Sequence, residues 1–183
     1  MAWIILAIVA VLVVVVIVIY NGLVTKRMRT KEGWSQIDVQ LKRRYDLVPN
    51  MVETVKGYAA HEKETLERVI QARNAAIAAG GGVKEQAAAE NMLTGALRQL
   101  FALSEAYPNL KANENFMRLQ EELTGTENRI AFSRQHYNAT VTEYNTALQV
   151  FPNNLLAGMF NFAPAEFFEI EDAAERQAPK VKF

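Results

Sequence analysis

From Ala2 to Tyr20 every residue of this chain is apolar or aromatic, and that run constrains the fold more than any other feature. At about 1.5 Å of rise per residue, a helix of that length reaches roughly 28 Å, close to the thickness of a bilayer's hydrocarbon core. Its Val- and Ile-rich composition disfavours a helix slightly in water. In lipid the backbone must satisfy its own hydrogen bonds, and that requirement overrides propensity. Trp3 and Tyr20 bracket the run where interfacial aromatics belong. A cleavable signal peptide would need a basic start, a shorter apolar core and small residues at its cleavage site. Here no Lys or Arg precedes the run, and Val18, Ile19 and Tyr20 stand where small residues should be. The expectation is a permanent, single-pass anchor in the inner or cell membrane.

The flanks predict its orientation. Lys26, Arg27, Arg29 and Lys31 follow the run and no basic side chain precedes it. Basic flanks tend to stay cytoplasmic, which places the N-terminus outside and the C-terminal part inside. The chain has no cysteine, which removes lipoprotein anchoring and agrees with a reducing compartment.

Roughly 160 residues remain after the anchor, enough for one domain with a core. Lys plus Arg number 20 and Asp plus Glu 20, so the balance speaks against a nucleic-acid binder. The expected divisions are 1–24 for the anchor, 25–150 for a bundle of long helices, and 151–183 for a C-terminal aromatic wrap or tail. The fold class is all-α, an N-terminal transmembrane helix followed by an antiparallel bundle of three long helices plus a short C-terminal helical segment.

Apolar residues recur at Trp34, Ile37, Leu41, Tyr45, Val48, Val52, Val55, Ala59, Leu66, Val69 and Ile70, in steps that trace one helical stripe. Pro49 falls inside the pattern without breaking its phase, which predicts one kinked helix continuing to Ala79. Gly80, Gly81 and Gly82 end it. A second helix is expected from Lys84 to Tyr107, with Met92, Leu93, Ala96, Leu97, Leu100 and Leu103 on its apolar face. Pro108 stops it, and Asn109 or Asn113 can cap the third. That third helix has the cleanest period: Phe116, Leu119, Leu123, Thr126, Ile130, Ser133, Tyr137, Val141, Tyr144 and Leu148. Steps of three and four sustained that long predict coiled-coil-like packing, and short connections make the long helices antiparallel neighbours. Beyond Phe151, Pro152, Gly158 and Pro164 punctuate a stretch carrying Phe160, Phe162, Phe167 and Phe168. It reads either as a wrap with a short helix closing the bundle's groove or as a docking surface.

Reactive constellations are missing. His61 and His136 are the only histidines, and neither has Glu three residues before it, as a di-iron bundle would need. His61-Glu62 lacks the second histidine of a zinc protease motif, and no phosphate-binding glycine loop follows a strand. With no cysteine and no activated serine, the expectation is no enzyme, no cofactor and no metal. Two groups remain as candidate sites. One is a polar set flanking the helix stripes, Arg44, Asp46, Glu127, Arg134, Asn138 and Asn145, read either as a solvated flank or as interhelical pairs that fix bundle register. Tyr137-Asn138 and Tyr144-Asn145 lie one heptad apart, which favours a structural role for those four. The other is the face Trp34, Ile37, Leu41 and Tyr45. The second and third helices, measured from the Gly80 turn, reach back only to about residue 47. That leaves the face for another copy of the chain, and predicts a homo-oligomer.

These segments closely resemble the LemA family. The resemblance is carried by Tyr20-Asn21-Gly22-Leu23-Val24, by Trp34 through Arg44, by Asp46-Leu47-Val48-Pro49-Asn50, and by Val55 through Glu62. On the third helix it is carried by Glu121-Glu122-Leu123, Thr126 through Phe132 and Tyr137-Asn138. It closes with Phe151-Pro152-Asn153-Asn154 and Pro179 through Phe183. What it implies is a membrane-anchored antiparallel helical bundle with no catalytic or binding residues to carry over. Members are often encoded beside membrane metalloproteases, which implies a link to membrane protease activity or quality control. Two functions follow as expectations: a non-enzymatic scaffold or adaptor that binds membrane lipid, itself and other membrane proteins, or a membrane-proximal binder of lipid or a small hydrophobic ligand.

Overall fold

The apolar run does begin a helix. In the computed structural model, which describes residues 1–169, α1 runs unbroken over Ala2–Lys56. Its apolar window has a mean hydropathy of 3.6 and none of it is buried. Helices α2 (Lys63–Ala78), α3 (Val83–Ser104), α4 (Pro108–Lys111), α5 (Glu114–Gln149) and α6 (Asn153–Met159) follow, and no strand occurs among the described residues. The closing Pro179–Phe183 motif and the acidic Glu171, Asp172 and Glu175 lie outside those residues.

Pro49 is not where the chain turns. It sits inside α1, and the first reversal falls at 57–62 instead, so the expected helix to Ala79 is really two. A proline inside a helix leaves the carbonyl four residues earlier without its donor. That carbonyl belongs to Tyr45, and the Arg73 guanidinium of α2 supplies the replacement, Nε donating to the Tyr45 oxygen at 2.7 Å. The helix tolerates its proline because a neighbour fills the vacancy. Gly57 opens the turn, where Ala59 N donates back to Val55 O at 2.8 Å and buries its methyl in the core. Glu62 accepts from the Tyr107 hydroxyl at 3.0 Å, and Tyr58 accepts from Asn113 Nδ2 at 2.9 Å. The next reversal uses the glycines as expected, with Gly82 at φ 141°, a conformation other residues rarely adopt. Asn113 caps α5 by accepting from Phe116 N at 2.9 Å.

The helices form two compact units. The second, built on Val39–Ala131, has a four-helix core of Val48, Met51, Val52 and Val55 from α1, Leu66 and Val69 from α2, Leu93, Leu97 and Leu100 from α3, and Phe116, Leu119 and Leu123 from α5. Met92 does not join it; it is 64% exposed.

The first unit, Met1–Asp38 with Phe132–Phe167, has only two long helices to work with. There α1 and α5 run antiparallel, and Gly33 lets them close: a Cβ at that position would lie 3.3 Å from the Tyr137 Cα. Thr30 Oγ1 bonds the Lys26 carbonyl at 3.1 Å within α1 and reaches the Thr140 carbonyl of α5 at 3.4 Å. α6 and an extended strap complete the unit. Asn161, at φ 53°, turns the chain out of α6, with Phe162 N donating to Ala157 O at 2.9 Å and Asn161 N to Gly158 O at 3.4 Å. These two bonds are those of a helix C-terminus closed by a left-handed residue. The turn drops Phe162 into a small core with Leu23, Tyr144, Ala147, Leu148 and Ala157.

Candidate functional site

Among the described residues, Arg44 is the largest charged side chain shut inside the molecule, 1% exposed. A buried guanidinium needs partners for its charge and its N–H groups. Nη2 pairs with Glu90 of α3, itself fully buried, and Nη1 pairs with Glu127 of α5 and donates to Thr94 Oγ1 at 3.1 Å. The other Glu90 oxygen accepts from the Tyr45 hydroxyl and, at 2.9 Å, from Gln86 Nε2. Gln86 Nε2 also reaches the Ala76 carbonyl of α2 at 3.1 Å. One guanidinium, two carboxylates, a phenol and an amide thus tie together α1, α2, α3 and α5, the four long helices of the second unit.

The electrostatics keep the guanidinium charged and the phenol neutral. Burial alone would lower the Arg44 pKa, but the charges and hydrogen bonds of Glu127 and Glu90 outweigh it and raise it further. Burial, then the Glu90 hydrogen bond and charge, push the Tyr45 phenol well above its ordinary value. Both Glu90 oxygens are engaged within the chain. The arrangement suits a lock rather than a proton-transfer device.

A second set of side chains lies along α5 in the first unit and acts on backbone. Tyr144 Oη donates to the Ala163 carbonyl at 3.1 Å, and Tyr137 Oη to the Glu166 carbonyl at 2.8 Å. Asn145 makes a reciprocal pair with Ala165, Nδ2 to the carbonyl and the amide to Oδ1, both at 2.9 Å. An extended segment has no ladder of its own, so these groups satisfy it. Burial raises the pKa of both tyrosines, which keeps them donors.

Of the expected polar set, Arg44 and Glu127 meet in the buried cluster, and Asn145 serves the strap. Arg134 and Asn138 are half-buried, and Asp46 is exposed. Glu90 and Gln86 escaped the sequence reading. Glu90 had a signal: it stands in phase with Leu93, Leu97 and Leu100 on the apolar stripe of α3, where a lone carboxylate must find a cation.

The face Trp34, Ile37, Leu41 and Tyr45 requires a correction. Ile37 is 0% and Leu41 1% exposed within the single chain, and Trp34 packs edge-on against Tyr137 at 5.5 Å between ring centroids. Tyr45 is half-buried on Glu90. The chain covers this face itself. The physical reason is the turn at 57–62: α5 begins beside Tyr58 rather than beside Gly80, and so reaches much further back along α1.

A shallow groove of about 280 Å³ lies between α3 and α5, with Leu97, Phe101 and Leu123 along it and Thr94 and Glu127 of the buried cluster at one side. Among the described residues no three His, Asp or Glu side chains converge in a way that could hold a metal ion.

The sequence pattern of the LemA family matches residues 33–183. The chain is 27% identical over 181 residues to the magnetosome protein MamQ 2 of Paramagnetospirillum magneticum, covering 85% of this chain and 66% of that protein. To the magnetosome protein MamQ of Magnetospirillum gryphiswaldense it is 25% identical, with the same coverage. To the protein LemA of Metamycoplasma hominis it is 27% identical over 158 residues, covering 82% of this chain and 70% of that protein. The chain therefore spans just under two thirds of the length of the magnetosome relatives, 66%.

Proposed function

The chain belongs to the LemA family, and from that premise we propose that it is a non-enzymatic, single-pass membrane scaffold whose helical bundle binds other membrane proteins from the cytoplasmic side. The observation that carries this reading is the state of α1. Its N-terminal window is wholly unburied at a mean hydropathy of 3.6, and it continues without a break into helix that packs in the folded units. Apolar surface of that extent needs a bilayer. Lys26, Arg27, Arg29 and Lys31, which follow it, support the orientation.

The scaffold reading is supported by what the polar residues do. The most buried charges serve the interior of the bundle, and the α5 tyrosines serve the strap. A rigid helical surface is then what the protein has to offer. Partners of the class implied by the family resemblance, membrane proteases among them, would meet that surface. Self-association belongs to the proposal only through a face other than Trp34–Tyr45, since Ile37 and Leu41 are already buried. The groove at Leu97, Phe101 and Leu123 supports a second reading, in which a small hydrophobic molecule binds there.

The test has two arms. A reporter fused after Phe183 should behave as cytoplasmic, and one active on the far side of the membrane overturns the orientation. The full chain, taken from its own membrane in mild detergent, should carry a stoichiometric protein partner or further copies, weighed by light scattering and identified by mass spectrometry. A single chain alone in its micelle, unchanged by crosslinking before extraction, overturns the scaffold reading.

A further inference from the structure

Outside the span, large exposed apolar side chains gather around α6. The helix buries Leu156 and Ala157 and turns Leu155 and Met159 outward, 59% and 73% exposed, one helical turn apart. Phe151, 79% exposed, stands one turn earlier, and Phe160 follows at 46%. α6 carries no charged residue to keep such a face in water.

Its place on α1 identifies what covers it. The Tyr20 ring, which closes the apolar run, lies edge-on to Phe160 at 5.0 Å and to Phe162 at 5.7 Å between centroids. Ile19 packs against the same small core. The α6 face therefore begins where the apolar run ends. Just beyond, the Arg27 guanidinium covers the Phe162 ring at 5.0 Å, and Lys26 sits beside it in sequence. Apolar side chains level with the end of a span, with cations about two turns further out, are the arrangement of a segment lying in the layer between acyl chains and headgroups.

We propose that α6, with Phe151 and Phe160, rests in the interfacial layer of the same bilayer that α1 crosses, as a second contact that enters the membrane without spanning it. The proposal rests on reading α1 as a span. Lipid is the occupant because the unburied apolar run of α1 that it would surround ends at Tyr20, in contact with Phe160, and because lipid reaches this face in every copy without any association. The contact also explains why the strap is pinned so thoroughly: Asn145 and Tyr144 fix the chain that leaves α6 and so fix the height of its apolar face.

The chain has no cysteine, so each introduced one is a unique attachment site. Nitroxide labels on Leu155→Cys, Met159→Cys, Val11→Cys and Glu121→Cys would be measured in the full chain, reconstituted into vesicles of phosphatidylcholine and phosphatidylglycerol. Power saturation then compares collisions with oxygen, which concentrates in lipid, against a water-soluble nickel chelate. Circular dichroism of each labelled chain confirms that helicity is retained. The Leu155 and Met159 labels should favour oxygen, at a depth between the core value at Val11 and the aqueous value at Glu121. Nickel access at both positions equal to that at Glu121 overturns the proposal while the Val11 label still reports lipid. Shielding from both reagents, with broadening between labels, overturns it in favour of a second copy. A Val11 label open to nickel overturns the span and this proposal with it.

Discussion

The two units solve the same problem with different means. The four helices around Val39–Ala131 can surround a core of aliphatic side chains from every side, and they can shut a charged cluster inside it. The unit on Met1–Asp38 has only α1 and α5, and two helices cannot enclose a core. It brings them to near-contact at Gly33, and recruits α6 and an extended strap whose backbone is satisfied by α5 side chains. The comparison teaches that polar residues on long amphipathic helices do different work according to how many helices surround them. Enclosed by four, they pair with one another; beside two, they hold down the segment that closes the gap.

The largest expected effect lies in the enclosed cluster. Arg44→Met strips the buried Glu90 of its counter-ion and should cost about 3–5 kcal/mol in denaturant unfolding of the detergent-solubilised chain. Arg44→Met with Glu90→Leu should recover most of that loss, because a buried ion pair replaced by apolar side chains is often close to neutral. A double variant as unstable as the single one would mean that Glu127, left without its guanidinium, accounts for the loss rather than Glu90.

Gly33→Leu tests the two-helix unit by forcing its helices apart at the Tyr137 backbone. Overpacking of that kind costs about 1–3 kcal/mol. Hydrogen exchange should show faster opening around Gly33 and Tyr137, and unchanged protection at Leu93 and Leu123. Equal loosening at both places would erase the distinction between the units. A smaller and more local effect is expected from Asn145→Ala, which removes both bonds to Ala165. Each such bond contributes about 1 kcal/mol. Limited proteolysis should then cut between Phe162 and Glu166 while the bundle stays intact.

The smallest effect concerns the proline. Arg73→Ala should cost about 1 kcal/mol when Pro49 is present, because Tyr45 then loses its substitute donor. In a Pro49→Ala background the helix regains its own N–H, and the same change should cost measurably less. A double-mutant cycle reads the difference as coupling between residues on two helices. Zero coupling would show that the Arg73 contact contributes nothing to tolerance of the proline.

Much of this was legible in the residues. Hydrophobic periodicity located the long helices, Asn109 and Asn113 were the two caps on offer and Asn113 is the one used, and the heptad spacing of Tyr137 and Tyr144 marked a shared task. The reversal at Gly57 was not legible, because a lone glycine weakens a helix by only about 1 kcal/mol and the apolar pattern continues past it. Pro49 lies inside the helix, as the unbroken phase of the stripe predicts. Its cost is met by Arg73, which lies far along the chain, so no local pattern could reveal it. The misplaced turn then misplaced the partner of Ile37 and Leu41. A helix pair's register is read from its connection, and an error there moves every contact along both helices.

Helix α1 has no joint. Between the residues that would sit in lipid and Arg44 there is no glycine-rich break, no proline turn and no linker, only continuous helix from Ala2 to Lys56. Within the first unit, such a helix sets the rotation of each side chain from the one before it, so the close approach at Gly33 and the burial of Leu23 come as one choice of face rather than two.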